Sequence, residues 1–313
     1  MGKIAFVFPG QGSQYVGMGQ ALAEAYPAAR RRLEEAGEAL GMDLMRLLFE
    51  GPEDALAETE NTQPAILAVS VACLEVLRQE GLEPEVAAGL SLGEYSALVA
   101  AGALEFATAV QVVRQRGRFM QDAVPLGVGG MAAILGLDTV VVEAICEQAR
   151  GVGWVEPANY NCPGQVVVAG EVAAVDRAVQ LAKEAGAARA VKLAVSAPFH
   201  TRMLAPAADR LAEVLAAVPI RPARIPVVAN VTAEPVQDPE EIRTLLIRQV
   251  ASPVRWEQSV RRMVADGVDT FVEVGPGRAL SGFIKRIDRR LKVFNVEDPQ
   301  TLAGALDSLG RVW

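Results

Sequence analysis

Apolar residues along this chain follow two repeating patterns. Short uninterrupted apolar runs are typical of strands buried in a parallel sheet, and they predict strands at residues 4–8, 86–90, 225–229 and 270–274. Apolar positions at helical spacing predict amphipathic helices at residues 21–40, 64–77, 93–101, 104–121, 203–217, 239–250 and 254–266. Pro64 suits the first turn of the second helix. The alternation predicts a hydrolase-like α/β domain built on a parallel sheet.

The order of the elements changes after Pro125. Strand signals at residues 131–135, 154–158, 165–169 and 189–194 are interleaved with helical patterns at 139–149 and 172–185. This β-α-β-β-α-β order is that of the ferredoxin-like fold. Gly127, Gly129 and Gly130 precede it, as a connector would favour. We therefore predict a large α/β subdomain formed by residues 1–125 and 195–313, with residues 126–194 as an inserted ferredoxin-like α+β subdomain.

Composition and charge narrow the classes of partner. Of the 313 residues, 51% are hydrophobic and 22% are charged, which is an ordinary globular composition. The net charge of -8 argues against binding to nucleic acid, because the phosphate backbone binds positively charged protein surfaces. An acidic partner would need a local basic patch. The densest basic stretch is Lys285, Arg286, Arg289, Arg290 and Lys292. It fits either a solvated helix face or a surface that meets phosphates or an acidic protein.

The sequence gives no signal for export, a membrane span or a metal. Cys73, Cys146 and Cys162 are far apart and odd in number, and they lack CxxC and zinc spacing. The apolar run after Lys3 is too short for a signal peptide. The longest charge-free apolar stretch, residues 123–137, is too short to span a membrane. We expect a cytoplasmic protein without a metal or a membrane partner.

The segment Gly89-Leu90-Ser91-Leu92-Gly93 matches G-x-S-x-G between a predicted strand and a predicted helix. In a nucleophile elbow the flanking glycines relieve a crowded turn, and the turn exposes the serine hydroxyl above the sheet edge. The start of the helix then favours developing negative charge beside Ser91. The same five residues also fit an ordinary Gly/Ser turn that caps a helix.

A serine nucleophile needs a base, and the chain contains a single histidine, His200. A solitary histidine is usually structural, but no other imidazole is available to Ser91. No acidic residue shortly before His200 stands out as a third member of a triad. A Ser-His dyad, oriented by a backbone carbonyl or an amide, is therefore the expected arrangement.

Several other short motifs occur in a characteristic order. They are Phe8-Pro9-Gly10-Gln11-Gly12-Ser13-Gln14, Asn61-Thr62-Gln63-Pro64-Ala65, Ser91-Leu92-Gly93-Glu94-Tyr95, Arg116-Gly117 with Met120, Asn159-Tyr160-Asn161, Pro163-Gly164-Gln165, Ser196 to His200, Gln249, and Glu273-Val274-Gly275-Pro276-Gly277. Together they resemble the malonyl-CoA:acyl-carrier-protein transacylase family, over nearly the whole chain.

The resemblance implies a ping-pong S-malonyltransferase of fatty-acid synthesis, with malonyl-CoA and acyl carrier protein as partners. The sequence leaves open whether the carrier protein serves fatty-acid or polyketide synthesis. It implies no permanently bound cofactor, with coenzyme A entering as the malonyl carrier, and we expect a monomer. Ser91 would carry the malonyl group and His200 would act as the base. The backbone N–H groups of Gln11 and Leu92 would form the oxyanion hole, and Gln249 would help to orient His200.

The resemblance also implies where acyl selectivity lies. Arg116 would bind the free carboxylate of malonate with two parallel hydrogen bonds, which an acetyl group cannot accept. Phe199 resembles the residue of malonyl-selecting members, and Met120, Asn161 and Gln249 join Arg116 as substrate-binding residues. Many members carry His where Leu90 stands, so the strictness for malonyl stays open.

Other functions compete with acyl transfer. Gly10-Gln11-Gly12 after a strand hints at the dinucleotide motif G-x-G-x-x-G, but its last position is Tyr15. A serine hydrolase or thioesterase on a similar elbow is the main alternative. A carrier-protein scaffold with a dead site, or transfer of a different acyl group, would also fit the fold.

Overall fold

The computed structural model describes residues 2–195 and 197–309. Ser196, which opens the motif ending at His200, lies outside the described residues. So do residues 1 and 310–313 of the predicted large subdomain. The strands of the described part, numbered along the chain, are β1 (Lys3–Phe8), β2 (Val86–Gly89), β3 (Gly129–Leu135), β4 (Val155–Cys162), β5 (Gln165–Glu171), β6 (Arg189–Lys192), β7 (Val227–Val228), β8 (Pro235–Val236), β9 (Val268–Val274) and β10 (Lys292–Val296).

The α-helices connect these strands. They are α1 (Gln20–Ala25), α2 (Pro27–Leu40), α3 (Leu44–Glu50), α4 (Glu53–Ala57), α5 (Thr59–Gln79), α6 (Gly93–Ala100), α7 (Phe106–Asp122), α8 (Thr139–Ala149), α9 (Val172–Glu184), α10 (Ala205–Ala216), α11 (Pro239–Val250), α12 (Trp256–Ala265), α13 (Ala279–Ile287) and α14 (Pro299–Leu309). Among the residues described, no helix combines the length and the apolar character that crossing a bilayer requires.

The larger sheet has the strand order β10-β9-β1-β2-β7-β8. Adjacent strands in this sheet run parallel, except for β7 and β8, which form an antiparallel pair at one edge. Successive residues of β1 point to opposite faces, so Phe6 and Phe8 join one apolar cluster while Ala5 and Val7 join another. Both faces are therefore buried, as a parallel sheet requires.

The smaller sheet has the antiparallel order β4-β5-β3-β6. Its buried side chains pack against α8 and α9 in an apolar cluster of their own. This is the β-α-β-β-α-β arrangement of the ferredoxin-like fold, so the predicted fold class is confirmed. The exact subdomain boundaries, at residues 125/126 and 194/195, stay a prediction.

Two helix predictions were wrong in detail. The helix expected at residues 21–40 is broken at Tyr26, whose backbone is extended (φ -126°, ψ 110°) because the next residue is Pro27. The helix expected to begin at Pro64 begins at Thr59, so Pro64 lies inside α5. Burial of Thr59, Thr62 and Gln63 ties this first turn into the core. We infer that this packing offsets the hydrogen bond that proline cannot make.

The basic cluster does not form one helix face. Lys285 and Arg286 lie on α13, Arg289 and Arg290 follow its end, and Lys292 opens β10. All five are exposed. Arg290 pairs with Asp288, while Lys285 donates to a backbone carbonyl. The helix-face interpretation was wrong because the sequence did not reveal that α13 ends at Ile287.

Candidate active site

Ser91 lies in a tight turn between β2 and α6. Its φ of 54° is left-handed, a conformation that costs energy for a non-glycine residue. A Cβ on Gly89 would lie 1.9 Å from the carbonyl carbon of Gly93, and a Cβ on Gly93 would lie 2.1 Å from the carbonyl oxygen of Phe8. Only glycine fits at these two positions, which explains the G-x-S-x-G spacing.

Asn230, just after β7, holds both sides of this turn. Its Oδ1 accepts a hydrogen bond from the backbone N–H of Ser91 at 2.6 Å, and its Nδ2 donates to the carbonyl of Gly89 at 2.6 Å. Asn230 is buried, so these bonds are not replaced by water. The strained conformation of Ser91 is thus fixed by a side chain 139 residues further along the chain.

His200 lies directly beside the serine. Its Nε2 is 2.7 Å from Ser91 Oγ, and its Nδ1 is 2.9 Å from the backbone carbonyl oxygen of Gln249. A carbonyl can only accept, so Nδ1 carries the proton and Nε2 is left to accept from the Ser91 hydroxyl. The structure therefore brings together the predicted dyad, and a backbone carbonyl orients it.

The imidazole of His200 is buried, and this burial lowers its pKa, with a further contribution from the charge of Arg116, to about 4. Hydrogen bonding to the Gln249 carbonyl opposes the shift but does not cancel it. The imidazole is neutral at pH 7 and can accept a proton.

Arg116, on α7, is buried beneath Ser91. Its Nη2 donates to Ser91 Oγ at 3.1 Å and to Gln249 Oε1 at 2.8 Å, and its Nη1 donates to Gln63 Oε1 at 2.7 Å. Its Nε–H is buried without an acceptor among the described residues. Burial lowers the pKa of this guanidinium, yet arginine stays charged in proteins. A buried positive charge therefore lies beside the nucleophile.

Gln249 and Glu94 complete the buried network. Gln249 Nε2 donates to Glu94 Oε2 at 2.7 Å and to the carbonyl of Ser91 at 3.1 Å. Burial raises the pKa of Glu94 to about 7, although hydrogen bonds and the Arg116 charge favour the ionised form. Gln249 thus contacts Ser91, His200 and Arg116, as its predicted role beside the imidazole requires.

The opening loop lies against the elbow. Phe8 ends β1 and is paired with Gly89, the last residue of β2, so Gln11 and Leu92 occupy equivalent positions after their strands. A Cβ on Gly10 would lie 2.4 Å from the carbonyl oxygen of Leu90, so the loop approaches the elbow closely. Among the described residues, neither the Gln11 nor the Leu92 backbone N–H donates to a protein acceptor.

A cleft of about 290 Å³ opens above Ser91, between the two sheets. The predicted residues that line it are Gln11, Leu90, Ser91, Leu92, Met120, Asn161, Phe199 and His200. Asn161 is buried on β4, and its Oδ1 has no partner among the described residues. Arg116 and Gln249 lie behind this lining and reach the cleft at Ser91.

Three residues of the network had no predicted role. Gln63 and Glu94 stood inside the quoted motifs, so their positions carried a signal that was not interpreted. Asn230 had none, because a single asparagine after a short strand has no distinctive pattern. Only the fold brings it to Ser91.

Comparisons with known proteins agree with this geometry. The profile of the acyl transferase domain family matches residues 5–302. The malonyl CoA-acyl carrier protein transacylase of Bacillus subtilis is 50% identical over 310 residues, which cover 99% of this chain and 98% of that protein.

Solved structures are equally similar. An acyl-carrier-protein S-malonyltransferase from Burkholderia pseudomallei superimposes with a TM-score of 0.96 at 50% identity, covering 97% of this chain and 99% of that one. A malonyl-transacylase solved in complex with its type II PKS acyl-carrier protein gives a TM-score of 0.96 at 46% identity, covering 98% and 99%. The chain therefore belongs to the acyl transferase domain family and, within it, to the malonyl-CoA:acyl-carrier-protein transacylase family that its motifs resemble.

Proposed function

We propose that this protein is an acyl-carrier-protein S-malonyltransferase that moves malonyl from coenzyme A to a carrier protein through an ester on Ser91. One observation carries the proposal. Ser91 Oγ lies 2.7 Å from the accepting nitrogen of a neutral imidazole and 3.1 Å from a buried guanidinium. The first neighbour activates the hydroxyl, and the second is suited to an acyl group that ends in a carboxylate.

The first half-reaction loads the enzyme. Ser91 Oγ attacks the thioester carbonyl of malonyl-CoA while its proton passes to His200 Nε2. The carbonyl of Gln249 stabilises the resulting imidazolium through Nδ1–H. The tetrahedral oxyanion accepts hydrogen bonds from the backbone N–H groups of Gln11 and Leu92, which are otherwise unused. The C–S bond then breaks, and His200 returns the proton to the sulfur, so that coenzyme A leaves as its thiol.

The second half-reaction uses the same groups in the same order. The phosphopantetheine thiol of the carrier protein gives its proton to His200 and attacks the seryl ester. The ester C–O bond breaks, and His200 protonates Ser91 Oγ. No atom is left over and no redox partner is needed. We assign the carrier protein to fatty-acid synthesis; a carrier protein of polyketide synthesis is the alternative.

Arg116 makes the site suited to malonyl. A carboxylate that enters this buried site needs a charged donor, and the guanidinium of Arg116, which already reaches Ser91 Oγ, is suited to offer it two parallel hydrogen bonds. An acetyl group would leave that donor unsatisfied, which costs binding energy. Phe199 and Met120 line the cleft and limit the size of the acyl chain, and Asn161 offers an acceptor to the pantetheine arm.

A serine hydrolase remains the alternative in principle, but the relatives described above are transacylases and do not favour it. The protein needs no permanently bound cofactor in this scheme, since coenzyme A enters and leaves as substrate. The cytoplasmic location and the monomeric state stay predictions.

The test is the mass of the intact protein after incubation with malonyl-CoA. We expect one malonyl adduct, located on the peptide that contains Ser91, and none in Ser91→Ala. His200→Ala should form the adduct far more slowly while keeping the native fold. An adduct on another residue, or unchanged loading of Ser91→Ala, would refute the proposal.

A further inference from the structure

Glu94 is a buried carboxylate that the proposed chemistry does not use. It lies in the first turn of α6, three residues after Ser91, and only 3% of its surface is exposed. Burying a carboxylate is costly unless hydrogen bonds compensate. The compensating partners are the Gln249 side chain, at 2.7 Å, and the backbone N–H of Asn230, at 3.0 Å. Both donate to the same oxygen, Oε2.

The first partner is an amide whose orientation matters. Gln249 Oε1 accepts from Arg116, so its Nε2 must face the other way. A flipped amide would point its N–H groups at the guanidinium and leave Arg116 Nη2 without this acceptor. Oε2 of Glu94 accepts hydrogen bonds whether the carboxyl group is ionised or carries its proton on Oε1. Glu94 therefore selects the one orientation of Gln249 that keeps Arg116 against Ser91.

The second partner holds the elbow. Asn230 donates its backbone N–H to Glu94, while its side chain bonds to the Ser91 N–H and the Gly89 carbonyl. One carboxylate oxygen thus fixes the two residues that set the position of Ser91 from opposite sides. No other carboxylate among the described residues hydrogen-bonds to Gln249 or Asn230.

We propose that Glu94 is a positioning residue for acyl transfer, which holds Gln249 and Asn230 through Oε2 and so fixes Ser91, His200 and Arg116 relative to one another. The kinetic test of this inference rests on the proposed function, but the spectroscopic test of how Glu94 positions His200 does not. Glu94 does not touch the substrate. It acts by hydrogen bonding rather than by its charge.

Two substitutions separate these causes. Glu94→Gln removes the charge but can keep an acceptor oxygen at the position of Oε2, with its amide nitrogen on the side of Oε1. Glu94→Asp keeps the charge but is one methylene shorter, so the carboxylate withdraws from both donors. Both changes are small enough to preserve the fold. Glu273→Gln is the matched control, because Glu273 is likewise a fully buried carboxylate, but it bonds to Leu280 and Ser281 at the start of α13.

Two measurements follow. The first is the rate constant for Ser91 acylation by malonyl-CoA, with KM recorded separately. We expect Glu94→Asp to lower the rate constant by about 10- to 100-fold at nearly unchanged KM, because small misplacements of reacting groups are that costly. Glu94→Gln should stay within about threefold of wild type, because both hydrogen bonds survive.

The second measurement is the NMR spectrum of the imidazole nitrogens, which belongs to one residue because the chain has a single histidine. Glu94→Asp should shift these resonances, whereas Glu94→Gln and Glu273→Gln should leave them in place. This spectrum does not depend on malonyl transfer, so it tests the positioning role even if the wild-type enzyme fails to load malonyl.

Three results would overturn the proposal. In the first, Glu94→Asp has the wild-type rate constant and spectrum. In the second, Glu94→Gln is slower than Glu94→Asp, which would make the charge the cause. In the third, the two variants lose activity equally.

Discussion

Replacing Arg116 by alanine gives the sharpest prediction about selectivity. In the loaded enzyme as proposed, Arg116 makes two charge-assisted hydrogen bonds to the malonyl carboxylate, each worth about 1.5–3 kcal/mol. Their loss therefore removes roughly 3–6 kcal/mol from malonyl transfer, a factor of about 10² to 10⁴ in rate. Acetyl transfer does not use these bonds, so it should be spared.

The variant also breaks the bonds from Arg116 to Gln63, Gln249 and Ser91, which affects every substrate. The useful quantity is therefore the ratio of kcat/KM for malonyl-CoA to that for acetyl-CoA, in which this common cost cancels. Arg118→Ala is the control, because Arg118 is exposed on the same helix and pairs with Glu60. An equal loss for the two substrates would refute the proposed binding of the malonyl carboxylate by Arg116.

Three further predictions test other parts of the site. Because the pKa of His200 is lowered to about 4, the acylation rate should be flat from about pH 6 to pH 8 and fall only as the imidazole gains a proton below about pH 5. The contribution of His200 to the free energy of unfolding, measured as the difference between wild type and His200→Gln, should fall as the pH drops from about 6.5 to about 4, because the unfolded chain binds that proton first; a midpoint of the rate profile near pH 6.5 would contradict the burial argument. Asn230→Ala removes two buried hydrogen bonds from the elbow and should cost about 2–4 kcal/mol in urea unfolding, with slower loading of Ser91. Gly93→Ala should destabilise by about 3 kcal/mol or more because its Cβ would meet backbone 2.1 Å away, whereas Gly282→Ala, in open space on α13, should raise the melting temperature slightly.

Local patterns allowed much of the fold and half of the site to be predicted. The elbow was recognisable because a strand, two glycines and a serine within five residues impose one geometry. The β-α-β-β-α-β order of the smaller sheet followed from the alternation of strand and helix periods. Ser91 and His200 are 109 residues apart, and they could be paired only because the chain has no second histidine.

The contacts that were missed join distant segments. The Asn230 bonds to Ser91 and Glu94 span 139 and 136 residues, and no sequence periodicity indicates such a pairing. The start of α5 was misplaced for a related reason, since burial of Gln63 beneath the site outweighs the local preference of Pro64 for a first turn. Tertiary packing decided both positions.

The fate of the malonyl group on Ser91 tests the central claim most directly. The isolated malonyl-enzyme can be followed by intact mass in buffer alone and after addition of carrier protein that bears its phosphopantetheine arm. We expect the adduct to persist in buffer and to disappear rapidly with carrier protein, with malonyl appearing on the carrier thiol. Rapid release of free malonate in buffer, with no gain of mass on the carrier, would contradict the account and identify a hydrolase.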